Sequence, residues 1–191
     1  MTSVVSKLLL HTCCAPCTIY VHGWLNEQKI AASGFFYNPN IRPQEEYERR
    51  LLTMEHYATT VGMKVIFTPS SFLPLEKGEN VESAVPCLPA GRGGETRGGG
   101  PEPGDCETCY RLRLRKTAVF ASENGFSHFS TTLLISPYQD HELLKKLGGI
   151  IALETGVDFF YYDWRPGFRA GQAEARALQL YRQKYCGCGK K

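Results

Sequence analysis

The stretch KLLLHTCCAPC, Lys7 to Cys17, decides the fold, because a short apolar run ends there directly in a loop that carries three cysteines. Lys7–His11 reads as a strand, and a helix is expected to follow from Cys17 to Gln28. Outward from this stretch, apolar strand-like runs keep alternating with helix-like segments, the pattern of a parallel α/β sheet. Ile30–Tyr37 is the second strand, closed by the turn-rich Asn38-Pro39-Asn40. Pro43 then stands where a helix accepts its first residue. Tyr47, Leu51, Met54, Ala58 and Val61 recur at intervals of four and three before Gly62 ends the run. Lys64–Thr68 is a third strand, stopped by Pro69. Further on come a helix at Glu107–Asn124 capped by Gly125, a strand at His128–Ile135 and a helix at Gln139–Thr155 with Gly156 as its stop. A fifth strand at Asp158–Asp163 and a last helix at Gly171–Lys184 complete the reading. The expected architecture is an open parallel sheet of about five strands with helices on both faces.

The chain has 191 residues, enough to bury a full core without disulfide staples. A single α/β domain spanning 1–191 is expected, interrupted by one abrupt change of composition. Between Val85 and Gly104 the sequence runs VPCLPAGRGGETRGGGPEPG, which neither helix nor strand accommodates. We read the segment at about 85–105 as a flexible loop. Its glycines do not form a phosphate-binding loop, since no strand leads into them and no GxxxxGK[ST] is present. The apolar run in MTSVVSKLLLHTCC is too short for a signal peptide, and no stretch reaches the roughly 18 apolar residues of a membrane span. These features point to a cytoplasmic, reducing compartment with no membrane partner. The net charge of +3 is mild and does not by itself argue for nucleic acid.

Of the 8 cysteines, all but Cys87 fall into three tight clusters. Cys13, Cys14 and Cys17 lie in HTCCAPC, Cys106 and Cys109 in DCETC, and Cys186 and Cys188 in the terminal YCGCGKK. Neighbouring positions that deliver several sulfurs to one point are what a soft metal, an iron–sulfur cluster or a dithiol couple requires. The first cluster ends a strand and the second opens a helix bordering the same sheet, so both belong at the carboxyl edge, where open α/β sheets bind ligands. A helix N-terminus also stabilises thiolates, which suits Cys106 and Cys109. Spacing alone leaves zinc and iron–sulfur about even, with thiol redox chemistry behind both. Two CxxC units would make a Cys₄ zinc site, but zinc ribbons separate their pairs by only about 15–20 residues. The Cys-Gly-Cys pair adds weight to redox chemistry, because a small strained disulfide is labile.

Taken together, HTCCAPC after the first strand, YNPNI with its following helix, CxxCYRLRL, TTLLISPYQD, FYYDWRPGF and the terminal YCGC resemble the cobalamin-independent epoxyqueuosine reductase family, QueH. The likeness covers nearly the whole chain. It implies a Rossmann-like α/β fold of the adenine-nucleotide-hydrolase (HUP) kind. The implied reaction is the last step of queuosine synthesis, reductive removal of the epoxide oxygen from epoxyqueuosine at the tRNA wobble position. The implied cofactor is a [4Fe–4S] cluster, with an additional mononuclear iron as a further option. The chain departs from the family in the expanded glycine-rich stretch Gly91–Gly104. It also lacks the SGGxDS loop of ATP-using relatives, which disfavours ATP chemistry.

Carried onto this sequence, the resemblance assigns Cys13, Cys14, Cys106 and Cys109 as cluster ligands. Cys17 is the alternate, or a ligand of the second iron. Cys186 and Cys188 become a redox-active disulfide near the cluster, fed by an external electron donor. Asp105 and Tyr138 are candidate acids, with His11, Tyr110 and Asp140 behind them, although polar residues near turns more often cap or orient. For the tRNA substrate, Arg111, Arg113, Arg115 and Lys116 stud the helix after CxxC. Arg165, Arg169, Arg176, Arg182 and Lys184 lie towards the C-terminus with Trp164, Phe168 and Tyr181 interleaved. Such a surface could hold phosphates and stack an unstacked base. A zinc-stabilised nucleic-acid-binding module and a thiol–disulfide oxidoreductase are the competing classes.

Overall fold

A computed structural model describes residues 5–68 and 105–186. The expected loop at about 85–105, all but its last residue, lies outside the described residues, as do Cys87 and Cys188. The strands are β1 (Leu8–His11), β2 (Ala32–Phe36), β3 (Val65–Phe67), β4 (His128–Thr131) and β5 (Asp158–Phe159). The helices are α1 (Ala15–Glu27), α2 (Gln44–Val61), α3 (Cys106–Glu123), α4 (His141–Thr155) and α5 (Phe168–Ala177). All strand pairs are parallel, in the order β3-β2-β1-β4-β5. This is the Rossmann-like α/β arrangement, with helices on both faces. Helices α1 and α2 lie on one face, while α3 and α4 cover the other and pack against each other.

The strand order explains the apolar character of β1. Leu8, Leu9 and Leu10 form the middle of the sheet, covered on both sides and wholly buried. Phe35, Phe36 and Phe129 on the flanking strands extend this core, and Leu114, Leu144, Leu147 and Ile151 supply it from the α3–α4 layer. Helix ends follow local chemistry. Asp105 and Asp140 cap α3 and α4 by accepting from the Thr108 and Leu143 amides, each at 3.0 Å. Gly62 and Gly156 end α2 and α4 in the left-handed region.

Three element boundaries differ from expectation. β4 stops at Thr131, whose hydroxyl accepts from the Leu133 amide and tips Thr132–Ile135 into a 3₁₀ turn. β5 keeps two residues rather than six. The last helix starts at Phe168, after a 3₁₀ turn at Arg165–Gly167, and ends at Ala177. Gln179 then adopts φ 53°, and the chain turns back across the molecule as an irregular tail. Trp164, expected among exposed stacking residues, is only 1% exposed and packs against Trp24, Phe160 and Tyr162.

Candidate functional site

In this sheet the strand order reverses at β1 and β4, and the crevice outside their carboxyl ends is where such folds place ligands. His11 and Thr131 close the two strands there, with His11 Nδ1 2.9 Å from Thr131 Oγ1 and Nε2 3.1 Å from the Tyr37 carbonyl. A carbonyl can only accept, so Nε2 carries the proton and Nδ1 is the accepting nitrogen. Burial, aided by the charge of Arg113, lowers the His11 pKa to about 4. His11 is therefore a neutral ring that fixes the strand ends, not a proton donor near neutral pH.

Immediately beyond, the chain turns so that both adjacent cysteines reach one point. In a regular strand neighbouring side chains would point apart. Here Cys14 is the residue preceding α1, in extended conformation, and Cys17 lies in the first turn. The Cys13 and Cys14 sulfurs are 3.7 Å apart. All three sulfurs of Cys13, Cys14 and Cys17 lie within 4.8 Å of one another, and all are buried. Thr132 accepts from the Cys13 amide at 3.2 Å and donates to its sulfur at 3.5 Å. Hydrogen bonds from Cys14, Cys17 and Thr132 hold the Cys13 thiol well below its ordinary pKa. Burial pushes Cys14 up, and the hydrogen bond to Cys13 does the same for Cys17. Within the trio the Cys13 thiol is thus the most readily ionised.

This donor set fits a thiophilic metal. With metal–sulfur bonds of about 2.3 Å, tetrahedral ligands sit about 3.8 Å apart, close to the Cys13–Cys14 separation. The N-terminus of α1 adds unpaired amides and the positive end of its dipole. Cys106 and Cys109 stand on the first turn of α3, outside the tight trio. Cys109 is buried and its sulfur accepts from Arg113 Nη2 at 3.0 Å. Tyr110 links the second and third cysteine clusters: its hydroxyl donates to Gln139 Oε1 at 3.0 Å, and the Cys186 thiol approaches the same oxygen at 4.0 Å. Burial raises the Tyr110 pKa, and the neighbouring Cys106 and Cys186 add to the effect.

The tail forms the remaining wall. Gln183 Nε2 lies 2.8 Å from Cys14 Sγ and 3.8 Å from Cys17 Sγ. Arg50 on α2 holds the tail in place, donating to the Tyr185 and Cys186 carbonyls at 3.0 and 3.2 Å while its Nε binds Glu46 at 2.7 Å. Sequence reasoning missed Arg50, Gln183 and Thr132. The one legible signal was Glu46 and Arg50, spaced i, i+4 on the same helix as the apolar Tyr47–Leu51–Met54 stripe, an unusual place for a charge pair. Arg113 was expected to face RNA; it is 1% exposed and faces Cys109 instead.

Other expected residues sit as follows. Asp105 caps α3, and hydrogen bonding from Thr108 lowers its pKa, so it is a carboxylate rather than an acid at neutral pH. Tyr138 is 82% exposed and meets Phe168 edge to face. Arg111, Arg115 and Arg165 pair with Glu107, Glu154 and Asp163 at 3.1, 3.9 and 2.6 Å. Arg169 lines an open cleft beside α5. Among the described residues, no helix is long and apolar enough to cross a membrane.

A family model described as Epoxyqueuosine reductase QueH matches residues 8–189. A protein named Epoxyqueuosine reductase QueH from Dehalococcoides mccartyi is 37% identical over 182 residues, 95% of this chain and 90% of that one. The protein of that name from Thermotoga maritima is 32% identical over 186 residues, 96% of this chain and 89% of its own length. One from Acinetobacter baylyi is 33% identical, over 95% of this chain and 78% of that protein. With Cys13, Cys14 and Cys17 gathered at the sheet's switch point and these likenesses along nearly its whole length, the chain belongs to the epoxyqueuosine reductase QueH family.

Proposed function

We propose that this chain is an epoxyqueuosine reductase acting on tRNA in the cytoplasm. The observation that carries the reading is the buried Cys13–Cys14–Cys17 trio at the end of β1, in a chain that belongs to this family. The reaction takes the epoxide, two electrons and two protons to an alkene and water. No side chain supplies those electrons from its own store, so a redox centre and an external reductant are required. We assign Cys13, Cys14, Cys106 and Cys109 to a [4Fe–4S] cluster. Cys17 is its alternate ligand or the ligand of an additional mononuclear iron. When bound, such a centre supplies electrons singly and a Lewis-acidic iron for the epoxide oxygen.

The chain's own residues have definable tasks around it. Arg50 and Arg113 are buried cations beside the cysteines, and they offset thiolate charge. The Gln183 amide donates to the Cys14 sulfur, a contact of the kind that tunes cluster potential. Cys186 and Cys188 are assigned as a redox pair, and the position of Cys186 near Gln139 and Tyr110 supports that role. Tyr110 retains its proton across the neutral range and is better placed to donate one than Asp105.

Anaerobic purification followed by iron, sulfide and zinc analysis tests the reading. The expected outcome is a brown protein with about four sulfides per chain. Zinc without iron would favour a zinc-stabilised nucleic-acid-binding module, and disulfide turnover without any metal a thiol oxidoreductase. Given reductant, the enzyme should remove epoxyqueuosine from tRNA, and Cys106→Ala should not.

A further inference from the structure

Six of the described arginines fall into two contrasting groups. Arg165 is locked by Asp163, with Nε 2.8 Å and Nη2 2.6 Å from the two carboxylate oxygens. Arg111 and Arg115 also have acidic partners. Arg169, Arg176 and Arg182 have none among the described residues. Together with Phe168 and Gln172 they line a cleft of about 330 Å³. Arg169, Gln172 and Arg176 are spaced three and four apart along α5, so they share one face. Arg182 arrives from the returning tail.

Both walls of this cleft lead to the cysteine chamber. Arg182 precedes Gln183, whose amide touches the Cys14 sulfur at 2.8 Å. Phe168 meets the exposed Tyr138 ring at 5.9 Å, and Tyr138 precedes Gln139, the partner of Tyr110. Three guanidiniums gathered without a carboxylate repel one another, and a ligand anion relieves that repulsion. Their planar forks match phosphate oxygens, while two neighbouring aromatic rings offer a face on which a base can stack.

We propose that this cleft is an RNA phosphodiester subsite. Arg169, Arg176 and Arg182 grip backbone phosphates flanking the nucleotide presented to the cysteines, and Tyr138 stacks on an adjacent base. The inference rests on the reading of the substrate as tRNA and adds where its backbone runs. Arg111, Arg115 and Arg165, neutralised by their acids, contribute little to it.

The test is fluorescence anisotropy of the full chain with a synthetic tRNA anticodon stem-loop over a series of salt concentrations. The double variant Arg176→Ala/Arg182→Ala is expected to weaken binding by about tenfold or more and to flatten the log affinity against log salt slope by about 1.4, two single-strand phosphate contacts. Arg176→Lys/Arg182→Lys should keep most of the slope. Tyr138→Ala should weaken binding by about fivefold or more with the slope unchanged, since stacking releases no counterions. Lys64→Ala, a single charge removed at the amino end of β3, should change neither. Wild-type affinity and slope in the double alanine variant would overturn the proposal, as would an equal effect from Lys64→Ala. Turnover of epoxyqueuosine tRNA by the wild type is measured in parallel. A working reductase whose double variant binds normally sinks the cleft alone. Arginine-dependent binding by a protein that reduces nothing supports the cleft and sinks the reductase reading.

Discussion

Arg50 shows most directly how one buried residue couples distant parts of the chain. It is 2% exposed, shares Glu46 with Tyr181, and holds two tail carbonyls. Removing one partner of a buried pair leaves an uncompensated charge, here the Glu46 carboxylate, at a cost of about 3–5 kcal/mol. Arg50→Ala is therefore expected to lower stability by that amount and to release the tail. Alkylation of Cys186, followed by peptide mass analysis, should accelerate, while buried Cys109 stays protected; equal labelling of both would mean global unfolding instead. Arg50→Lys should rescue only partly, since an ammonium lacks the planar fork that serves Glu46 and two carbonyls at once. Such roles were hardly legible in the sequence. Cysteine spacing singled out Cys13, Cys14 and Cys17 because chemistry demands sulfurs close in sequence. Gln183 reaches Cys14 across a sequence separation of 169, and no local pattern announces that. Asp105 shows the converse, for its place before a helix fitted a cap as well as a catalyst, and its hydrogen bond from the Thr108 amide makes it a cap.

At the scale of elements, helices with strong start and stop chemistry were read closely. The end of α2 at Gly62 and of α4 at Gly156 follows from glycines that take a left-handed φ. β5 was overestimated because FFYYDW has the composition of a strand but only its first residues pair with β4. The rest turns inward to bury Trp164. The α4–β5 contact also sorts two adjacent glycines that look equivalent in sequence. A Cβ on Gly148 would lie 2.2 Å from the Phe159 ring, whereas one on Gly149 would meet nothing within 4 Å. Gly148→Ala is thus expected to destabilise by about 1–3 kcal/mol through overpacking. Gly149→Ala should stabilise by about 0.5–1 kcal/mol, the ordinary gain of alanine over glycine inside a helix. Chemical denaturation of the two variants checks this, and matching signs would contradict the packing of α4 on β5.

The whole molecule brings three separate parts of the chain to one edge of the sheet: the β1–α1 turn, the first turn of α3, and the tail. Alternating strands and helices made the parallel sheet legible, and the rule that ligands gather at carboxyl ends pointed to the turn after β1, where Cys13, Cys14 and Cys17 meet. The tail's return was not legible, because it depends on the reversal at Gln179 and on Arg50, both tertiary events. This convergence has a thermodynamic consequence. A metal centre that binds the folded chain and not the unfolded one stabilises it by mass action, by about 2.7 kcal/mol when free metal exceeds its dissociation constant a hundredfold. The gain should be local as well as global, since the converging segments carry the proposed ligands. Hydrogen exchange on iron-loaded and chelator-stripped protein is expected to show new protection at residues 13–17, 106–110 and 183–186. The amides of β1 and β2, already buried in the sheet, should be unchanged except through the shift in global stability. Protection gained instead around β3, at the far edge of the sheet, would place the metal elsewhere and overturn the assignment of these cysteines.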